Sequence, residues 1–195
     1  MIDGTGLRDF ATSHPDRCFD VGIAEAHAVG LASGLALGGY KPLVALYSTF
    51  LQRAIDQSII NVALCNLPVV FAIDRAGLVG DDGPTHHGMF DMALLRTIPN
   101  MRIIAPSNEA ELVHALHTAF MLPGPVVLRY PRGSAQGVSL PQDPLYMKPG
   151  CARVVREGSD AAIFSFWAYG WLCPLMLLIC LSLKDITYEL LICVG

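Results

Sequence analysis

At 195 residues the chain has room for one ordinary domain plus an appendage. Its residues are 53% hydrophobic and 15% charged, which allows a sizeable buried core and excludes disorder over most of the length. A formal net charge of −4 with no basic run argues against nucleic acid as the main partner.

Cysteines at 18, 65, 151, 173, 180 and 193 form no C-x-x-C pair and no zinc pattern. They read as reduced thiols. The opening Met1-Ile2-Asp3-Gly4 is neither basic nor followed by an apolar run, so no secretory signal is expected and the expected location is cytoplasmic.

Taken in chain order, a strand-like run at Cys18–Val21 leads through a glycine turn into a helix predicted over Ala24–Leu37. Pro42–Tyr47 reads as a strand, Phe50–Leu64 as a helix and Pro68–Ile73 as a strand. After a long loop over 74–91 come a strand at Arg102–Ala105, a helix at Glu109–Met121 and a strand at Pro125–Tyr130. The spacing of Asn108 and Glu111 fits a capping box at the start of that last helix. The strands are continuous apolar stretches rather than alternating ones, as in a parallel sheet covered on both faces. Alternating strands and helices with right-handed crossovers predict an α/β fold with a parallel doubly wound sheet.

Ligands of such sheets sit beyond the carboxyl ends of the strands, and the polar residues concentrate there. Glu25 follows the first run, Tyr47-Ser-Thr-Phe50 the second, Asp74-Arg75 the third and Tyr130-Pro-Arg132-Gly133 the last. A carboxylate in Glu25's place is costly to bury without a dedicated partner, which makes it a candidate functional group. Taken alone, it could equally complement the helix macrodipole. Loop 74–91 joins Arg75, Asp81, Asp82, His86 and His87 among four glycines. A loop of that length is a candidate for substrate or cofactor contact or for a metal, with a solvated turn as the plain alternative.

The stretches Asp20-Val-Gly-Ile-Ala-Glu-Ala-His27, Tyr47-Ser-Thr-Phe-Leu-Gln-Arg53, Asp56-Gln57, Phe71-Ala-Ile-Asp-Arg-Ala-Gly77, Asp82-Gly-Pro-Thr-His-His-Gly88 and Arg129-Tyr-Pro-Arg-Gly133 occur in order. Together they resemble the 1-deoxy-D-xylulose-5-phosphate synthase family over about residues 2–166, in its transketolase-like pyrimidine-binding domain. The resemblance implies the thiamine diphosphate-binding fold, truncated here, and a transferase that joins pyruvate to D-glyceraldehyde 3-phosphate with release of CO2. It further implies a role in isoprenoid and thiamine synthesis, and a homodimer at full length. By position, Glu25 resembles the glutamate that hydrogen-bonds N1′ of the cofactor's aminopyrimidine and so activates a base belonging to the cofactor. Phe50 resembles the aromatic that stacks on the pyrimidine, with Tyr47 and Arg53 beside it. His86 resembles a histidine in contact with the bound substrates, and Asp82 a residue that orients the loop. Arg75 and Arg132 resemble the pair that holds the aldehyde's phosphate, a task suited to guanidinium forks. Arg129 reads as structural, and the resemblance assigns His87 no role. Ala26 stands where the family commonly has Gln.

The resemblance also implies an upstream domain whose Gly-Asp-Gly…Asn motif would bind Mg2+ and the diphosphate; neither it nor the preceding strand is expected in this chain. Gly80-Asp81-Asp82 followed by Asn108 imitates that motif but lacks its second glycine, so no metal ligand is assigned. The expected organisation is a pyrimidine-binding domain over 1–133 without its first strand, and a linker over 134–158. The start of a transketolase-like carboxyl-terminal domain follows at 159–166, then an atypical hydrophobic tail at 167–195. Such a piece is expected to be inactive alone. Residues 161–183 carry no charge and have the length of a membrane span. Out-of-frame sequence and a divergent domain remnant are the alternatives, and with Lys184 as the one base close by, an anchor is disfavoured.

Overall fold

The structure is a computed structural model that describes residues 2–159, 161–165 and 188–194. Four strands, β1 (Leu43–Tyr47), β2 (Val70–Asp74), β3 (Arg102–Ile104) and β4 (Val126–Arg129), form a parallel sheet in the order β1-β2-β4-β3. Every residue of β2 and β4 is buried, which accounts for their unbroken apolar character. The register pairs Tyr47 with Asp74 and Ile73 with Arg129, so the polar residues that end these strands share one edge of the sheet.

Successive side chains of a strand point to opposite faces, and each face has its own apolar core. Phe71, Ile73 and Val127 pack with Val29, Leu51, Val62 and Leu95 on one side. Val70, Val126 and Leu128 pack with Ile104, Ala115 and Ala119 on the other. The first cluster is covered by α2 (Glu25–Leu37) and by the helical segments that begin at Ser48; the second is covered by α6 (Glu109–Met121). This is the expected doubly wound α/β sheet. At the start of α6, Asn108 Oδ1 accepts from Glu111 N–H at 2.9 Å, while the Glu111 carboxylate accepts from Ser107 N–H at 2.7 Å. The return bond of the cap therefore goes one residue upstream of the position a capping box would use.

The elements depart from expectation in several places. Cys18–Val21 is not a strand: Asp20 Oδ1 accepts from Gly22 N–H at 2.9 Å, a local turn that competes with ladder pairing. Ahead of it lie α1 (Arg8–Ser13) and a 3-10 turn at Pro15–Arg17, neither of which the sequence announced. The helix expected over Phe50–Leu64 starts at Ser48 and runs as α3 (Ser48–Leu51), a 3-10 turn (Gln52–Ala54), α4 (Ile55–Gln57) and a π-helical stretch (Ser58–Ala63). Buried Ser58 donates its hydroxyl to Ala54 O at 2.8 Å, taking the carbonyl that an α-helical N–H would use and loosening the spiral beyond it. A further short helix, α5 (Asp91–Leu95), follows the long loop.

The stretch expected as a linker has no regular element over 134–150, but its end forms β5 (Cys151–Arg156). β6 (Ala161–Ser165) lies within 159–166, where the start of a carboxyl-terminal domain is expected. Both flank β7 (Tyr188–Val194) in a second sheet, β5 antiparallel and β6 parallel to it. Of the uncharged run at 161–183, the first five residues are therefore strand, and the rest lies outside the described residues. No helix among the described residues is long and apolar enough to cross a membrane.

Candidate active site

The carboxyl edge of the first sheet gathers all eight residues singled out in the sequence into one chain of contacts. Glu25 opens α2 and is 8% exposed; its Oε1 accepts from Arg53 Nη1 at 3.1 Å. Among the described residues Glu25 Oε2 has no hydrogen-bond partner. The Arg53 guanidinium lies over the Phe50 ring, 4.8 Å from its centroid. Phe50 stacks on Tyr47 at 5.6 Å and meets the His86 ring edge-on at 5.3 Å. The Tyr47 ring in turn carries the Arg75 guanidinium 3.7 Å from its centroid. Arg75 Nε and Arg132 Nε both reach Asp82 Oδ2, at 3.0 and 3.3 Å.

Local structure explains these positions. Tyr47 ends β1, and the chain turns at once into α3, which presents Phe50 above the strand edge. Arg75 follows β2 with a left-handed φ of +59°, uncommon for a residue with a side chain. Asp74 compensates this by accepting from Arg75 N–H and from its Nη1, both at 2.6 Å. Burial pushes the Asp74 carboxyl above its ordinary value, with the Arg75 charge opposing the shift. Burial likewise raises the Tyr47 phenol, again against Arg75, and holds the Tyr130 phenol well above its usual range. These phenols are thus hydrogen-bond donors rather than bases at neutral pH.

The loop that carries Asp82 and His86 is closed by its own ends, Gly77 and Gly88, whose backbones exchange hydrogen bonds of 2.8 and 2.7 Å. A Cβ on Gly88 would collide with Ser48 Oγ, Ser48 Cβ and the Arg75 carbonyl, so only glycine permits this approach. Thr49 Oγ1 donates to Thr85 O at 3.1 Å and ties α3 to the turn bearing His86. Within the loop His87 Nδ1 accepts from Val79 N–H at 3.2 Å. The sequence placed Asp74, Ser48 and His87 among the strand-end and loop residues without assigning them a role, and did not single out Gly88. A glycine adjoining a histidine pair was the available signal for the clasp; nothing local marked Ser48. Arg129, read as structural, is buried in an ion pair with Asp91, Nε to Oδ2 at 2.7 Å, at the base of α5.

Behind Arg75 and Arg132 lies a cavity of about 420 Å³ that also takes in Tyr130, Asn108, Glu109 and the segment Asp3–Gly6. Chemically, the site offers a buried carboxylate with one unengaged oxygen, a half-buried aromatic ring beside it and two guanidinium forks. That set suits a flat nitrogen heterocycle able to donate to Glu25, together with a small anion. Among the described residues no group of three or more His, Cys, Asp and Glu side chains could hold a metal ion.

Comparison with known proteins agrees with this fold. The family model described as "Transketolase, pyrimidine binding domain" matches residues 1–137. The 1-deoxy-D-xylulose-5-phosphate synthase of Syntrophomonas wolfei is 57% identical over 165 residues, 85% of this chain and 26% of that protein. That of Thermomicrobium roseum is 58% identical over 169 residues, 86% of this chain and 27% of its own length. The chain thus spans about a quarter of the length of these relatives. Among solved structures, one described as a split-gene transketolase in an inactive beta4 tetramer superposes with a TM-score of 0.76 at 26% identity. It is matched over 98% of this chain and 62% of its own. The Campylobacter jejuni transketolase shares the fold with a TM-score of 0.70 at 21% identity, over 89% of this chain and 27% of that one. On the strength of the family match and of these synthase relatives, the chain belongs to the transketolase pyrimidine-binding-domain family.

Proposed function

We propose that this chain is the pyrimidine-binding part of a 1-deoxy-D-xylulose-5-phosphate synthase. In that reaction the C1–C2 bond of pyruvate breaks with loss of CO2, and the remaining two-carbon unit bonds to the aldehyde carbon of D-glyceraldehyde 3-phosphate. Thiamine diphosphate, when bound, supplies the nucleophilic carbon. Glu25 holds a proton against the pyrimidine ring nitrogen through its free oxygen, and Phe50 and Tyr47 wall the ring off from water. Arg53 orients the Glu25 carboxylate through their 3.1 Å contact. His86, beside Phe50, moves protons to and from the substrate oxygens. Arg75 and Arg132 receive the aldehyde's phosphate, and Asp82 keeps their forks parallel until it arrives. Mg2+ and the diphosphate fall to a second domain, the whole working as a cytoplasmic homodimer; this chain alone is inactive.

The observation that carries this reading is the unbroken contact chain from Glu25 to Arg132. It is tested by a chimaera in which residues 2–133 replace the matching segment of the Syntrophomonas wolfei synthase. The chimaera should release CO2 from pyruvate in a manner that depends on the phosphorylated aldehyde. Glu25→Gln should lower that rate by about 100-fold or more. Turnover with a ketose donor in place of pyruvate, or an unaffected Glu25→Gln, would sink the proposal.

A further inference from the structure

We propose that His87 is a positioning residue for the phosphate-binding arm, acting through the backbone of Val79. This rests on the reading above in which Arg132 takes the anion. Val79 is 5% exposed, and the two peptide groups that meet at its Cα are both engaged. Its N–H donates to His87 Nδ1 at 3.2 Å, and its carbonyl accepts from Arg132 Nη1 at 3.4 Å. The Arg132 side chain is 42% exposed, and among the described residues the carbonyl and Asp82 Oδ2 are its two polar partners. Val79 also opens the 3-10 turn Gly80–Asp82, so the peptide that aims Arg132 starts the turn that presents Asp82. One hydrogen bond to the His87 ring therefore governs two members of the arm.

The adjacent histidines have divided tasks. His86 turns its edge to Phe50 and pairs Nδ1 with Thr85 Oγ1 at 3.0 Å. His87 turns inward across the loop, immediately before the Gly77–Gly88 clasp that fixes its backbone. Accepting from a peptide N–H requires the Nδ1 lone pair, so the ring is neutral with its proton on Nε2. Without that acceptor the buried Val79 N–H is left unpaired, the Leu78–Val79 peptide must turn to find water, and the resulting change in the Val79 backbone angles swings its carbonyl, on the far side of the Cα, away from Arg132.

The test uses the full chain and three substitutions. His87→Leu keeps the branching at Cγ but removes the acceptor. His87→Asn sets an oxygen at the Nδ1 position, and His87→Gln sets it one bond too far. Hydrogen exchange at the Val79 amide should accelerate about tenfold or more in His87→Leu and His87→Gln while β2 and β4 stay protected, and recover in His87→Asn. Inorganic phosphate, followed through the backbone amide resonance of Gly133, should bind about fivefold more weakly in the first two variants and near normally in the third. Should His87→Leu fail to fold, His87→Gln carries the same expectation. If Arg132→Ala abolishes the phosphate response but His87→Leu and His87→Gln leave it intact, the positioning role is wrong. If Arg132→Ala leaves the response unchanged, the substrate assignment of the preceding section fails instead, whatever His87 does to Val79.

Discussion

Arg75 is held in a left-handed backbone conformation between two carboxylates and against the face of Tyr47. Such conformations cost of order 1–3 kcal/mol and persist where the surroundings over-determine them. Here the surroundings are Asp74, Asp82 and the Gly77–Gly88 clasp. Because burial raises the folded-state value of Asp74, its contribution to stability is fullest below the unfolded carboxylate value and declines as pH rises through the folded one. The clasp depends on one missing side chain. Gly88→Ala should destabilise the fold by about 1–3 kcal/mol, because the new methyl group meets Ser48 and the Arg75 carbonyl, neither of which can move without disturbing the strand edge. Urea denaturation would measure this, and an unchanged midpoint would show that the loop shifts freely.

At the scale of elements, α6 does more than cover one face of the sheet. Glu109 in its first turn accepts from Val138 N–H at 2.6 Å and from Gln136 N–H at 3.2 Å. Farther along, His114 Nδ1 accepts from Leu145 N–H at 3.0 Å and Thr118 Oγ1 from Met147 N–H at 2.8 Å. The irregular stretch after Gly133 is thereby strapped along the helix. Backbone N–H groups, first its own and then those of Val138, Gln136 and Gly137, hold Glu109 below the ordinary carboxylate value. A lowered folded-state value means that this strap contact is present above the unfolded value and is lost as pH falls through the folded one. Protection of the Val138 amide, its exchange rate relative to that of a free peptide at the same pH, should therefore hold at neutral pH and fall only in acid, below the ordinary glutamate range. Protection independent of pH would contradict that account.

At the scale of the molecule, both apolar clusters among the described residues are built from residues between Ala28 and Val127 or between Leu43 and Met147. The described side-chain ties from β5 to the first sheet's layer are those of half-exposed Arg153, to Glu111 at 3.2 Å and to Ser107 Oγ at 3.0 Å. Pairs so exposed contribute about 0–1 kcal/mol. A chain ending after Gly150 should therefore unfold cooperatively, with a midpoint within about 5 °C of the full chain by calorimetry. Loss of the cooperative transition would show that the second sheet supports the first.

The sequence by itself determined the layering and most of the site. Continuous apolar strands must be covered on both faces, and the polar residues that end them must then meet at one edge; Phe50, Tyr47, Arg75 and Arg132 were legible for that reason, whereas Glu25 was placed there by way of a run that is not a strand. Tertiary structure decided what local pattern could not encode. Cys18–Val21 has the composition of a strand, but Asp20 finds its hydrogen bond two residues away, and pairing depends on a neighbour rather than on composition. The 48–63 segment has helical periodicity, yet which carbonyl Ser58 takes depends on its burial against the sheet. His87 and Gly88 acquire their meaning only when the loop folds back to set them against Val79 and Ser48. Contacts between residues distant along the chain are set by the closure of the whole fold, and a one-dimensional pattern carries no term for them.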